Sequence, residues 1–407
     1  MPRVSVIVPV YNTEEYLALT LASARRQTCD DLEIVCVDDG STDRSADILS
    51  LTAQVEPRLK VIRQANAGSA AARNAGLRAA TGDIVMFLDA DDQLERTAVA
   101  TVVAAFDAHP GADIVTFGGS AYPETAAYPW LEARLVPEPG VTETFDAELL
   151  FGDRARPHLW YSAFAADFLR REHVTFDERL VLGEDYVFNA TAFPLSRRTV
   201  AIADRLYLYR VARRESLMAE RFTDTANRLE EHLAIAETIL TLWRERGWLE
   251  PNTAVLLRWL FVFFLSDTLS QPAEERGPAL AGLARLLREF FPGPGDAVGP
   301  ADLQLLKVLK HEPRHDGGRR LMLEVTRYYM ARHGLASGLA RSVRGAAASA
   351  PARRLRDLAR RVLPPPAATL GHHLASLGDQ VDDTARRAAA LDLLRAEVAA
   401  KTGERAA

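Results

Sequence analysis

Three acidic clusters carry the chemistry that this sequence can do. Asp38-Asp39 precede Gly40-Ser41, Asp89-Ala90-Asp91-Asp92 form one run, and Glu184-Asp185 follow Gly183. Asp89 and Asp91 flank a single residue, so in extended backbone their carboxylates point to the same side. Two hard oxygen ligands so placed suit Mg²⁺ or Mn²⁺, which commonly take one or two carboxylates and complete their shell with substrate phosphates. A nucleoside diphosphate bridged by the metal is the ligand that this chemistry implies. Asp and Gly also favour surface turns, which is the plain alternative for any one cluster. No Walker A sequence and no G-x-G-x-x-G follows the first apolar run, where Val8-Pro9-Val10-Tyr11-Asn12 stands instead. P-loop ATP hydrolysis and dinucleotide oxidoreduction lose their support accordingly.

The acids need elements to place them, and the apolar pattern supplies these. Val4–Val10, Leu32–Val37, Leu59–Arg63, Ile84–Leu88 and Asp113–Phe117 are short, β-branched, nearly continuous apolar runs. Between them, Glu14–Gln27, residues 42–53, Ser69–Ala79 and Glu95–Ala108 have helical spacing. Continuous apolar strands alternating with amphipathic helices predict an α/β fold, with a mostly parallel sheet covered on both faces. Ligands of such sheets bind beyond the carboxyl ends of the strands. Asp38-Asp39 and Asp89–Asp92 each follow a predicted strand directly. Residues 118–156 are irregular and predict an excursion with a few short strands. Thr199–Ala203 and Arg205–Arg210 predict a strand pair, and residues 223–334 are almost wholly helical in pattern.

VSVIVPVYN (4–12), VDDGSTD (37–43), NAGSAAARNAGLRAATGDIVMFLDADD (66–92) and GEDYVFN (183–189) together resemble an inverting family 2 glycosyltransferase of the GT-A fold. Each motif is weak alone, and the ordered set is specific. The resemblance covers roughly residues 1–217. It implies that Pro9, Val10 and Tyr11 border a nucleotide base and that Asp39 or Asp38 accepts from the base N–H. It implies that the Asn66–Asn74 stretch passes beside the nucleotide and that Arg73 meets the diphosphate, where a guanidinium fork suits phosphate oxygens. Asp89-Ala90-Asp91 becomes the DXD motif, with Asp89 toward the ribose and Asp91 on the metal, while Asp92 supports the loop. Asp185 becomes the general base, with Glu184 orienting it or touching the acceptor. Arg210, Arg213 and Ser216 resemble a closing segment near the diphosphate, with an edge strand and solvated basic turn as the alternative. Trp160-Tyr161 could stack on an acceptor sugar. The implied activity is metal-dependent transfer of a sugar, UDP-linked by expectation, to a surface polysaccharide, lipid-linked or other glycan acceptor. A sugar-nucleotide nucleotidyltransferase would want a Gly-rich basic loop after the first strand. A non-catalytic scaffold of the same fold would have no need of the intact acidic motifs.

Composition sets the outer bounds. The 407 residues carry a net charge of −6 and are 48% hydrophobic, which excludes wholesale disorder and gives no reason to expect a nucleic-acid partner. Two cysteines, Cys29 and Cys36, make no disulfide framework and fit a reducing compartment. With no signal-peptide pattern and no apolar run of about 20 residues, the expected location is cytoplasmic. The expected domains are residues 1–217, a helical domain 218–334, a basic linker 335–366 and an amphipathic helix 367–407. Residues 335–363 hold seven arginines and one acid, a net of +6, which suits either peripheral contact with an anionic membrane or a solvated linker. Apolar spacing over residues 370–398 permits self-association as a short coiled coil, or docking on the chain's own domain.

Overall fold

The computed structural model describes residues 3–122, 135–152, 155, 158–211, 225–270, 276–293, 298–311, 319–333 and 369–402. The chain divides into two compact units: Met1–Asp146 with Arg156–Arg213 and Ala368–Ala407, and Ala147–Ala155 with Arg214–Ala367.

The first unit is built on one sheet in the order β3-β2-β1-β4-β8-β6-β9-β5, with β7 (Gly140–Thr142) alongside β9. The strands β1 (Val4–Val10), β2 (Leu32–Asp38), β3 (Leu59–Arg63) and β4 (Ile84–Phe87) run parallel. β2 and β4 are buried along their whole length, as is β1 apart from the half-buried Pro9, so both faces must be covered. The helices between them are α1 (Leu17–Arg25), α2 (Ser45–Val55) and α3 (Ser69–Ala79). α3 lies so close to β1 that a Cβ at Gly76 would collide with Ile7. Each Val or Ile fully buried here contributes about 1.5–3 kcal/mol relative to exposure.

The sheet then departs from the parallel expectation. β8 (Ser162–Ala165) is inserted antiparallel between β4 and β6 (Ile114–Tyr122), and β6 pairs parallel with β9 (Thr199–Arg210). β1, β2, β4, β6 and β9 therefore all end on the same edge. β9 is one continuous strand, where the residues predict two broken at Asp204. Its extra residues are absorbed as register shifts against β6 at Gly118 and Gly119. A Cβ on Gly118 would stand 3.0 Å from the Asp204 carbonyl oxygen, and one on Gly119 2.9 Å from the Trp160 ring. Two successive glycines permit the bulge. The predicted helix at Glu95 starts later, as α4 (Ala98–Ala108), because β5 (Gln93–Leu94) first pairs antiparallel with β9. That pairing ties the end of the Asp89–Asp92 loop to β9.

The second unit is helical: α5 (Glu148–Phe151), α8 (Thr225–Glu245), α9 (Thr253–Ser270), α10 (Gly277–Phe290), α11 (Pro300–Lys310) and α12 (Arg319–His333). Its core includes Trp243, which meets Phe151 edge-on at 5.0 Å, and α9 residues Leu256, Leu260, Phe261 and Phe264, all fully buried. Among the described residues no helix is long and apolar enough to cross a membrane. The basic segment 335–363 lies outside the described residues.

Two further helices of the first unit are α6 (Ala166–Arg171) and α7 (Glu184–Leu195), and the last is α13 (Thr369–Thr402). Leu394 of α13 is buried in the core of the first unit, Ala390 and Leu391 pack against that core, and Val398 is buried as well. Arg25 of α1 adds an ion pair to Glu397 at 2.7 Å. The C-terminal half of the predicted coiled-coil seam thus packs on the chain's own domain. The side chains of Leu370, Leu374, Leu377 and Val381 lie outside the described residues.

Candidate active site

The site begins with three loops at the carboxyl edge of the parallel strands. After β1 the chain turns at Asn12, whose φ of 49° is left-handed, a conformation that Asn tolerates better than most residues. The Asn12 side-chain oxygen accepts from the Thr42 N–H at 2.8 Å, the Thr13 N–H donates to Ser45 Oγ at 2.9 Å, and the Glu14 N–H donates to Asp43 Oδ2 at 2.9 Å. The β1 and β2 loops are thereby stitched into one wall. Pro9 and Val10 lie inside the strand, half-buried and buried, while Tyr11 is exposed at its mouth.

Asp38 and Asp39 are both buried, and their oxygens are engaged locally. Asp38 Oδ1 accepts from the Ser41 N–H at 3.0 Å. Asp39 accepts from Gln64 Nε2 at 2.7 Å and from the Ala67 and Gly68 N–H groups at 2.9 and 2.8 Å. Asp39 therefore shapes the loop that carries Asn66, which is itself exposed. Neither acid stands out from the other as a base acceptor.

The second cluster sits in the turn between β4 and β5. The Asp92 N–H donates to the Asp89 carbonyl at 3.0 Å, closing the turn, and Thr20 Oγ1 donates to the Ala90 carbonyl at 2.9 Å. Asp92 is buried and faces β9, where it accepts from Tyr207 Oη at 2.8 Å and from the Arg210 N–H at 2.7 Å. Tyr207 in turn accepts from the Asp89 N–H at 3.1 Å. Burial, and then the charges of Asp91 and Asp89, push the Asp92 carboxyl well above its ordinary value. Asp92 supports the loop, and Asp89 and Asp91 remain partly exposed.

Arg73 of α3 joins this loop to the third cluster. Its guanidinium is buried and donates to Asp89 Oδ1 at 2.8 Å and to Glu184 Oε1 at 2.6 Å. Ser69, one turn earlier on α3, donates to the same Glu184 oxygen at 2.5 Å. Glu184 and Asp185 open α7 directly after Gly183, whose φ of 74° is the left-handed turn into the helix. Asp185 accepts from the Tyr186 N–H at 2.8 Å, and the His158 Nδ1 stands 3.7 Å from its other oxygen. Burial raises the Asp185 carboxyl, but the His158 ring, Arg73 and the Tyr186 N–H outweigh it and leave it below the ordinary value.

Several expected residues stand elsewhere. Arg73 gives its two forked nitrogens to carboxylates rather than to open space for a diphosphate, because a buried guanidinium needs anionic partners. Arg210 is buried too: its side chain is 1% exposed, lies between the rings of Tyr16 and Tyr122, and donates to Asp383 of α13 at 2.6 Å. Trp160 and Tyr161 are buried at 5% and 2% exposure, with Trp160 stacked on Tyr207 at 4.7 Å and on Tyr209 at 5.2 Å. They form the floor of the site and offer no open platform for a sugar. Arg213 and Ser216 lie outside the described residues. Three residues at the site carry no motif in the sequence: Gln64, His158 and Asp383. His158, half-exposed and stacked parallel to Trp160 at 6.0 Å, had only its neighbours Trp160-Tyr161 as a signal.

The donor chemistry fits a divalent ion shared with a substrate. Among the described residues no group of three or more His, Cys, Asp or Glu side chains could hold a metal unaided. Asp89 and Asp91 supply two hard oxygens in a turn whose acids repel one another, and diphosphate oxygens would complete the shell.

Residues 5–171 match the model of the Glycosyl transferase family 2. The chain is 34% identical over 216 residues to the uncharacterized glycosyltransferase EpsJ of Bacillus subtilis, covering 52% of this chain and 61% of that one. It is 30% identical over 258 residues to the putative glycosyltransferase EpsH of the same organism, covering 61% of this chain and 71% of that one. The chain thus spans under two thirds of the length of EpsJ. Among solved structures it resembles Staphylococcus aureus TarS 1–349 in complex with UDP-GlcNAc, with a TM-score of 0.65, 22% identity, and coverage of 82% of this chain and 92% of that one. That likeness is one of fold.

Proposed function

The chain belongs to glycosyltransferase family 2, and we propose that it transfers a sugar from a UDP-sugar to a hydroxyl of a cell-surface polysaccharide, lipid-linked or other glycan acceptor, by single displacement with inversion. The observation that carries this reading is the Arg73 bridge, which holds the acidic turn and the Glu184-Asp185 pair on either side of one guanidinium. The UDP assignment draws on TarS, whose structure holds UDP-GlcNAc.

In the proposed reaction the acceptor oxygen attacks the anomeric carbon as the bond from that carbon to the diphosphate oxygen breaks. Asp185 takes the hydroxyl proton, and Glu184, fixed by Arg73 and Ser69, sets the direction of α7's first turn and so of Asp185. A Mn²⁺ or Mg²⁺ ion bound by Asp91 and Asp89 would supply positive charge to the departing diphosphate. Tyr11 and Asn66, both exposed beside the β1 and β2 loops, face the nucleoside. The His158 ring beside Asp185 favours its carboxylate form.

The test is release of UDP from a panel of UDP-sugars with Mn²⁺ present, for the wild type, Asp91→Ala and Asp185→Asn. Both variants are expected to lose about 10²–10⁴ of turnover. Undiminished turnover in Asp185→Asn would remove the base assignment.

A further inference from the structure

We propose that the C-terminal helix α13 is a working part of the donor site, with Asp383 as a positioning residue that holds the acidic turn through Arg210. The inference rests on reading Asp89–Asp92 as the donor and metal loop.

Arg210 ends β9 and touches that loop twice. Its N–H donates to Asp92 Oδ1 at 2.7 Å, and its Nε donates to the Asp91 carbonyl at 2.8 Å. The second bond fixes the main chain at Asp91, and with it the direction of the Asp91 carboxylate. The guanidinium can lie there, 1% exposed, only with its charge compensated. The compensating carboxylate comes from Asp383, itself 8% exposed, at 2.6 Å.

Neighbouring residues of the same helix extend the grip. Arg387 approaches the same Asp383 oxygen at 3.2 Å, lies 4.8 Å over the Tyr16 ring and pairs with Glu15 at 2.9 Å. Arg386 lies 5.9 Å over Tyr122. Residues 383, 386 and 387 share one helical face. From it they reach the loop after β1, the end of β6 and the end of β9, all on the edge where the site lies. Packing alone would require only the apolar contacts of Ala390, Leu391, Leu394 and Val398, which lie further along the helix. Removing the Asp383 charge leaves Arg210 buried without its counter-ion. The side chain then moves toward water, the Asp91 carbonyl is released, and the turn that presents Asp89 and Asp91 loosens.

The experiment uses the full chain as wild type, Asp383→Ala, Asp383→Asn, Asp383→Glu and Arg395→Ala, the last altering an exposed pair on the same helix. Hydrogen exchange is followed across residues 88–94, and UDP affinity is measured by calorimetry with Mn²⁺ at a fixed concentration. Asp383→Asn and Asp383→Ala should speed exchange in 88–94 and weaken UDP binding by about tenfold, an ordinary size for coupling between sites. Asp383→Glu should recover most of both, and Arg395→Ala should match wild type. Wild-type exchange at 88–94 in Asp383→Asn would overturn the clamp. A wild-type chain that binds no nucleoside diphosphate would overturn the donor reading instead, and the exchange result would still judge the clamp.

Discussion

Glu33 and Asp92, buried carboxylates at opposite edges of one sheet, are treated in opposite ways. At the amino edge Glu33, the second residue of β2, accepts from Ser5 Oγ at 2.5 Å and from the Thr81 N–H and Oγ1 at 2.6 and 2.9 Å, and pairs with Lys60 at 2.5 Å. Burial works against its charge, and these donors overcome it, taking the carboxyl down to about 2. At the carboxyl edge Asp92 and Asp89 are pushed up, by burial first and by neighbouring acids besides, with Arg73 pulling Asp89 back. The carboxylate on β2 is thus settled at one edge, and those that follow β4 are crowded at the other. Crowding of like charge at Asp89–Asp92 is a cost that no donor set of the kind around Glu33 offsets.

The comparison can be broken most sharply by neutralising one acid on each edge. Asp185→Asn should lower turnover by about 10²–10⁴ and leave thermal unfolding within a degree or two of wild type. Glu33→Gln should do the reverse. Its kcat stays at the wild-type value, while stability falls by about 1.5–3 kcal/mol, the usual worth of hydrogen bonds to a buried charged group. Calorimetry paired with the UDP-release assay reads both, and a Glu33→Gln variant of normal stability would dissolve the contrast.

Acid titration sharpens it further. Because Glu33 is depressed in the folded chain, its contribution is fully present above about 4.5 and is lost as pH falls from there toward about 2. Urea midpoints measured at successive pH values should therefore fall less steeply over that window in Glu33→Gln than in wild type. The smallest effect belongs to Asp107→Ala on the same amino edge. Asp107 pairs with Arg3 at 2.8 Å, but the partners are 60% and 37% exposed, so the loss should stay below about 1 kcal/mol.

How much of this was legible beforehand follows the range of the interactions involved. The strands β1, β2 and β4 were visible because burial on both faces writes an unbroken apolar run. The acidic clusters stood out as motifs beside them. What escaped depends on pairing across the fold. β8 was not foreseen as an antiparallel insertion, since four residues, Ser162–Ala165, carry no sign of direction. The break expected at Asp204 is a bulge, made possible by glycines about 85 residues earlier. The type and motif of Arg73 suit a phosphate, and only the fold shows its nitrogens turned to Asp89 and Glu184. Trp160 has the composition of a sugar platform but lies beneath Tyr209.

The pair between Arg210 and Asp383 also has a consequence in time. Its members are 173 residues apart in the chain. A ribosome adding about 5–20 residues per second makes Asp383 roughly 9–35 s after Arg210. Throughout that interval every strand of the sheet already exists, and the guanidinium at the end of β9 has no counter-ion from α13. The sheet-bearing unit is therefore synthesised early and finished late.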